Sequence, residues 1–207
     1  MRFKLFNLPV HVSPSFLIML AIIGSMNSRG DNQRMIFIFV AIFTAVLIHE
    51  LGHALTARWF GMKPEIELSF IGGQASWVEL RRLDYRKRCL ITFAGPGIGL
   101  IFGVIFYLIV FLIHDLPIPA RDFLREHYYY FFLLNIFNLI PIYPMDGAKG
   151  IEALIGWKKG HVNQLTMDKL SFNTALACGA AAIYYRQYFI LAIFAYFGFL
   201  SYKKIKS

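Results

Sequence analysis

The stretch MIFIFVAIFTAVLIHELGHALTARWF runs from Met35 to Phe60. From Met35 to Ile48 only Thr44 is polar, and then His49, Glu50 and His53 arrive together. A helix needs about 20 mostly apolar residues to cross a hydrocarbon core of about 30 Å, so the stretch predicts a membrane span. An ionisable group inside such a span is expensive, roughly 2.5–3.5 kcal/mol for a central charge on insertion scales. Three of them crowded at one end call for a compensating partner.

Five more apolar stretches flank this one, at about Pro14–Asn27, Cys89–Ile113, Tyr128–Pro144, Ser171–Tyr185 and Tyr188–Tyr202. The last two are separated only by Arg186 and Gln187, which predicts a helical hairpin or a pair of tilted helices. The expected architecture is an all-α polytopic membrane protein of about six transmembrane helices. Its 207 residues form a single membrane-embedded domain in this expectation. Composition agrees: 57% of residues are hydrophobic and 16% charged, against about 25% charged in soluble domains. A soluble fold this short could not hide so much apolar surface.

The net charge of +9 raises nucleic acid as a partner, but the charges fall between apolar runs and form no interleaved basic face. Their distribution predicts sidedness instead. Sixteen Lys and Arg lie at the termini and in the loops after the second and fourth spans, and five lie on the opposite side. Positive loops stay cytosolic, so both termini are expected in the cytosol, and the expected location is a bacterial cell membrane. The basic start at Arg2 and Lys4 resembles a signal peptide, although no clear cleavage site follows. Cys89 and Cys178 stand far apart in apolar segments, which predicts buried thiols and neither a disulfide nor a thiolate metal site.

Between the second and third spans, Glu65 to Phe70 alternates polar and apolar residues, and Gln74 to Leu80 follows Gly72-Gly73. This predicts a small β-hairpin at about 65–80 around a glycine turn. It is either an ordinary cytosolic hairpin or an exposed edge on which an extended substrate adds as a strand.

Residues four apart share a helix face, so His49 and His53 can grip one metal ion with Glu50 within reach of a water on it. The competing possibility is a polar cavity of the kind transporters build. A catalytic zinc takes three protein ligands and keeps a fourth position open. The extended zincin motif is excluded, because Trp59 stands where its last His would fall. Asp146 is the best remaining candidate. At 1.5 Å per residue, His49 lies about 21 Å along the second span and Asp146 about 27 Å along the fourth, so both reach a similar depth. Asp146-Gly147 is also a turn signal, which would make Asp146 a cap or turn residue. Pro141 and Pro144 interrupt the run before it, and irregular backbone at membrane depth is tolerated around a cavity. Gly95, Gly97 and Gly99 predict close helix packing more than a catalytic role.

In order, Leu8 to Phe16, His49 to His53, Gly72-Gly73, Ala94-Gly95-Pro96 and Asn138 to Gly147 resemble the motifs of the site-2 protease family of intramembrane metalloproteases, the last being similar to its NxxPxxPxDG signature. The resemblance implies Zn2+ held by His49, His53 and Asp146, Glu50 as catalytic base and acid, and Asn138 in substrate binding or oxyanion stabilisation. It implies a transmembrane protein as substrate and allows a membrane regulator as a further partner. The layout looks most like the bacterial branch that processes a membrane-tethered sporulation sigma factor. Two departures stand out. The AGP element often continues to an asparagine where this chain has Gly99, and the regulatory or PDZ domain of some relatives is expected to be missing. A metal-ion transporter using the same ligands, or a silent membrane scaffold, are the competing functions.

Overall fold

The structure is a computed structural model and describes residues 1–69, 72–76 and 83–206. It is mostly helical with one small sheet. The chain divides into two compact units, one of Met1–Arg82 with Ala94–Phe137 and one of Leu83–Phe93 with Asn138–Ser207.

In the first unit, β1 (Arg2–Leu5) and β2 (Leu8–Val12) form a hairpin. Phe6 and Asn7, both with positive φ, supply the turn, the backbone that two-residue hairpin loops favour. β3 (Glu65–Ser69) adds parallel to β2, and β4 (Gly72–Ser76) antiparallel to β3. Leu8, Val10, Val12, Ile66 and Leu68 are buried together, while Glu65 and Glu67 are exposed. The period-two pattern has placed one face on the core.

The predicted hairpin therefore exists, but its glycines do not make the turn. Gly72 pairs with Ser69 and Gly73 with Leu68 inside the ladder. The connection at 70–71 and the predicted strand residues 77–80 lie outside the described residues. The N-terminal strands were not predicted. They enlarge the hairpin to a sheet of order β1-β2-β3-β4.

α1 (Pro14–Asn27) starts on Ser13, whose hydroxyl accepts from the Phe16 amide. α2 (Asn32–Trp59) starts on Asp31, whose carboxylate accepts from the Gln33 and Arg34 amides. Such caps satisfy donors that the first turn leaves unpaired. α2 ends before Gly61, which takes φ of 84°. α1 and α2 close the core over the sheet through Phe16, Leu20, Ile38, Ala41 and Ile42, and α2 also packs on β3 and β4. α3 (Tyr85–Leu112) carries Pro96 inside it. α4 (Ile118–Asn138) meets α3 through Phe102, Phe106 and Phe131 and α2 through an Arg34–Glu126 pair at 2.8 Å.

In the second unit, residues 139–145 are irregular and contain a cis Tyr143–Pro144 bond. α5 (Asp146–Lys159), α6 (Gln164–Tyr184) and α7 (Tyr188–Lys206) follow. α6 and α7 form the expected helical hairpin, joined through Arg186 with φ of 55° and packed through Ser171–Ser201 and Phe172–Tyr202. The fourth predicted span, 128–144, corresponds to a helix that begins and ends earlier, and α5 was not predicted. Among the described residues, α2, α3 and α7 are long and apolar enough to cross a membrane, and α1 is a shorter apolar helix.

Candidate metal centre

His49, Glu50 and His53 are buried near the C-terminal end of α2. One helical turn brings the two histidines together: their rings lie 4.7 Å apart at 83°, and their Nε2 atoms 3.1 Å apart. Two nitrogens on a tetrahedral zinc at about 2.05 Å would be separated by about 3.3 Å, so the spacing is close to that of a shared ion.

Small residues make room for this pair. A Cβ on Gly52 would lie 2.5 Å from the carbonyl oxygen of Ala94. One on Gly95 would lie 2.3 Å from Nε2 of His53. α3 thus presses its backbone against α2 where a side chain would block it. The glycines expected to serve close packing do so, and what packs on Gly95 is the imidazole itself.

His49 Nδ1 meets Asn135 Oδ1 at 2.8 Å, and Asn135 Nδ2 donates to the Phe131 carbonyl at 2.7 Å. Asn135 is fully buried. Its side chain fills the space over Gly99, where a Cβ would lie 2.2 Å from Nδ2. Sequence reasoning missed this residue. The available signal was a lone amide within an apolar run, a group that must find hydrogen-bond partners when buried.

In the second unit, Asp146 is the first residue of α5, buried, with Lys149 Nζ 3.5 Å from Oδ1. A carboxylate in the first turn is favoured by the unpaired amides and dipole there. Gly147 lets the irregular segment fold back on the helix start, since a Cβ there would lie 2.1 Å from the carbonyl oxygen of Leu139. The Tyr143 amide donates to Ser171 Oγ at 2.9 Å, and the Tyr143 hydroxyl donates to Glu152. Glu152 also accepts from Arg88 at 2.8 Å. These bonds fix the segment that delivers Asp146. Asn138, the other asparagine of the motif, ends α4 half-buried.

The first unit thus pairs His49 with His53, and the second presents Asp146 at the start of α5. Two imidazoles and a carboxylate form the kind of donor set that catalytic zinc takes while keeping a position open. The residues present therefore fit the implied metal.

Comparison with known proteins gives the same picture. The profile described as Peptidase family M50 matches residues 37–126. A zinc metalloprotease of Methanocaldococcus jannaschii is 30% identical over 161 residues, covering 77% of this chain and 46% of that protein. A putative zinc metalloprotease of Synechocystis is 27% identical over 173 residues, covering 78% and 45%. Stage IV sporulation protein FB of Bacillus subtilis is 28% identical over 178 residues, covering 83% and 57%. The chain thus spans about half the length of these curated relatives. The solved structure of the site-2 protease from Methanocaldococcus jannaschii superposes with a TM-score of 0.68 at 25% identity, covering 99% of this chain and 94% of that one. In sequence the chain is similar to these zinc metalloproteases, and in fold to this site-2 protease.

Proposed function

We propose that this protein is an intramembrane zinc metalloprotease that hydrolyses peptide bonds in or near the transmembrane segments of membrane-tethered proteins. The pairing of His49 and His53 beside the buried carboxylate of Glu50 on α2 carries this reading: two metal donors at nearly the spacing of a shared ion, in a chain dominated by apolar helices. His49, His53 and Asp146 hold the metal. When bound, zinc supplies a water of lowered pKa and a Lewis acid for the scissile carbonyl.

Glu50 takes a proton from the attacking water and returns it to the amide nitrogen as the bond breaks. Asn138 donates a hydrogen bond to the substrate or its developing oxyanion. A helical substrate hides its amides in its own hydrogen bonds and has to unwind. β4 is an end strand of the sheet and packs against α2, which supports holding the unwound segment by strand addition. Six spans with both termini cytosolic, in a bacterial cell membrane, complete the reading.

The test is cleavage of a single-span substrate in proteoliposomes by the purified protein. Glu50→Gln should lower the rate by about 10²–10⁴-fold with the zinc content unchanged. Full cleavage by that variant would remove Glu50 from the mechanism, and zinc flux without cleavage would make the protein a transporter. Asp146→Asn should lower zinc content, and an unchanged stoichiometry would end its assignment as a ligand.

A further inference from the structure

We infer that Asn135 is the positioning residue of the metal centre: its amide holds His49 in the Nδ1–H tautomer and aims the Nε2 lone pair at the metal. This inference rests on the zinc site proposed above. The chain of cause starts with the backbone. The Phe131 carbonyl sits one helical turn before Asn135 and can only accept a hydrogen bond, so the amide end that faces it at 2.7 Å is the NH2. The other end, Oδ1, therefore faces His49 Nδ1 at 2.8 Å. An amide oxygen can only accept, which requires a proton on Nδ1. The neutral imidazole then carries its lone pair on Nε2, the atom 3.1 Å from Nε2 of His53. The opposite flip would put an NH2 against Nδ1, move the proton to Nε2 and abolish the ligand. A backbone carbonyl on α4 thus sets the tautomer of a side chain on α2 through one amide.

Gly99 is what allows it. Any side chain there would begin 2.2–2.4 Å from the amide atoms of Asn135. The space at position 99 on α3 is occupied instead by a polar group reaching across from α4. Asn135 is also fully buried, so neither the tautomer nor the ring orientation depends on solvent.

Partners of this kind on metal-bound histidines typically carry 10–100-fold in metal affinity. The test measures zinc affinity of the full-length protein in detergent by chelator competition, with thermal unfolding as a check on folding. Asn135→Leu fills similar volume without an acceptor, and Asn135→Asp keeps the acceptor. The expected result is a 10–100-fold loss of affinity in Asn135→Leu and near wild-type affinity in Asn135→Asp. The double variant Gly99→Asn/Asn135→Ala, which moves the amide to the facing helix, should recover part of the affinity lost in Asn135→Ala. Equal affinity in the Leu and Asp variants would overturn the inference while leaving the zinc site standing. A wild-type protein that binds no zinc would overturn both.

Discussion

Gly95 and Gly97 stand two residues apart on α3 and face opposite demands. A Cβ at Gly95 would meet the His53 ring at 2.3–2.7 Å, whereas one at Gly97 meets nothing within 4 Å. An imidazole packed at a metal centre cannot retreat as a flexible side-chain end can. Gly95→Ala should therefore cost about 1–3 kcal/mol through overpacking and lower the zinc content. Gly97→Ala should be neutral or stabilising by up to about 1 kcal/mol, because glycine weakens a helix interior. Thermal unfolding with metal analysis separates the two, and similar behaviour of both variants would contradict the packing described for Gly95. At this scale the meeting of His49 and His53 on one helix face was legible. His49, Glu50 and His53 were readable because ionisable groups in an apolar span need a reason. Asp146 became a candidate because a carboxylate followed a broken apolar run. Asn135 was overlooked because the neighbouring Asn138 carried the recognisable motif, while the partner of a metal ligand has no fixed spacing along the chain.

Elements were less legible than residues where small side chains do the packing. α5 buries Ala148, Gly150, Ala153 and Gly156, none of which signals an amphipathic helix by hydrophobicity, and its cap position is Met145 with no side-chain cap bond. Its charged residues, Lys149, Glu152, Lys158 and Lys159, read as a cytosolic loop. A Cβ on Gly150 would lie 2.4 Å from the Phe93 ring and one on Gly156 2.3 Å from the Tyr85 ring, so these glycines seat α5 against the start of α3. β1 and β2 did leave a signal, the alternation of Leu8, Val10 and Val12 after Asn7, but it is only a few residues long. Glu152 is where α5 earns its place: it ties Arg88 and Tyr143 together with both side chains of the ion pair largely buried. Glu152→Gln leaves Tyr143 an acceptor and removes the charge opposite Arg88. That should destabilise the protein by about 1.5–3 kcal/mol, the range for hydrogen bonds to charged groups. A melting temperature in detergent equal to that of the wild type would show that the Arg88–Glu152 pair contributes nothing.

For the whole molecule, the apolar runs exposed the membrane setting, but the division into two units was not visible in them. One of its boundaries falls between Phe93 and Ala94, inside one continuous apolar helix, where no change of composition marks it. Sidedness depends on a different property, the placement of Lys and Arg, with sixteen on one side of the predicted layout and five on the other. Each strongly basic loop would have to be carried across the membrane if the orientation were reversed, and cells retain such loops in the cytosol. Lys4, Asp115, Lys158 and Lys206 are exposed and sample both predicted sides. With Cys89 and Cys178 replaced by alanine, single cysteines at these four positions can be probed by a membrane-impermeant maleimide. In intact cells the label should reach position 115 alone, and after permeabilisation it should reach positions 4, 158 and 206. Labelling of 4 and 206 from opposite sides would mean an odd number of crossings, which the six-span layout does not allow. Labelling of 115 only from within would reverse the orientation, and the loops that carry most of the positive charge would then face outward against the bias on which the assignment rests.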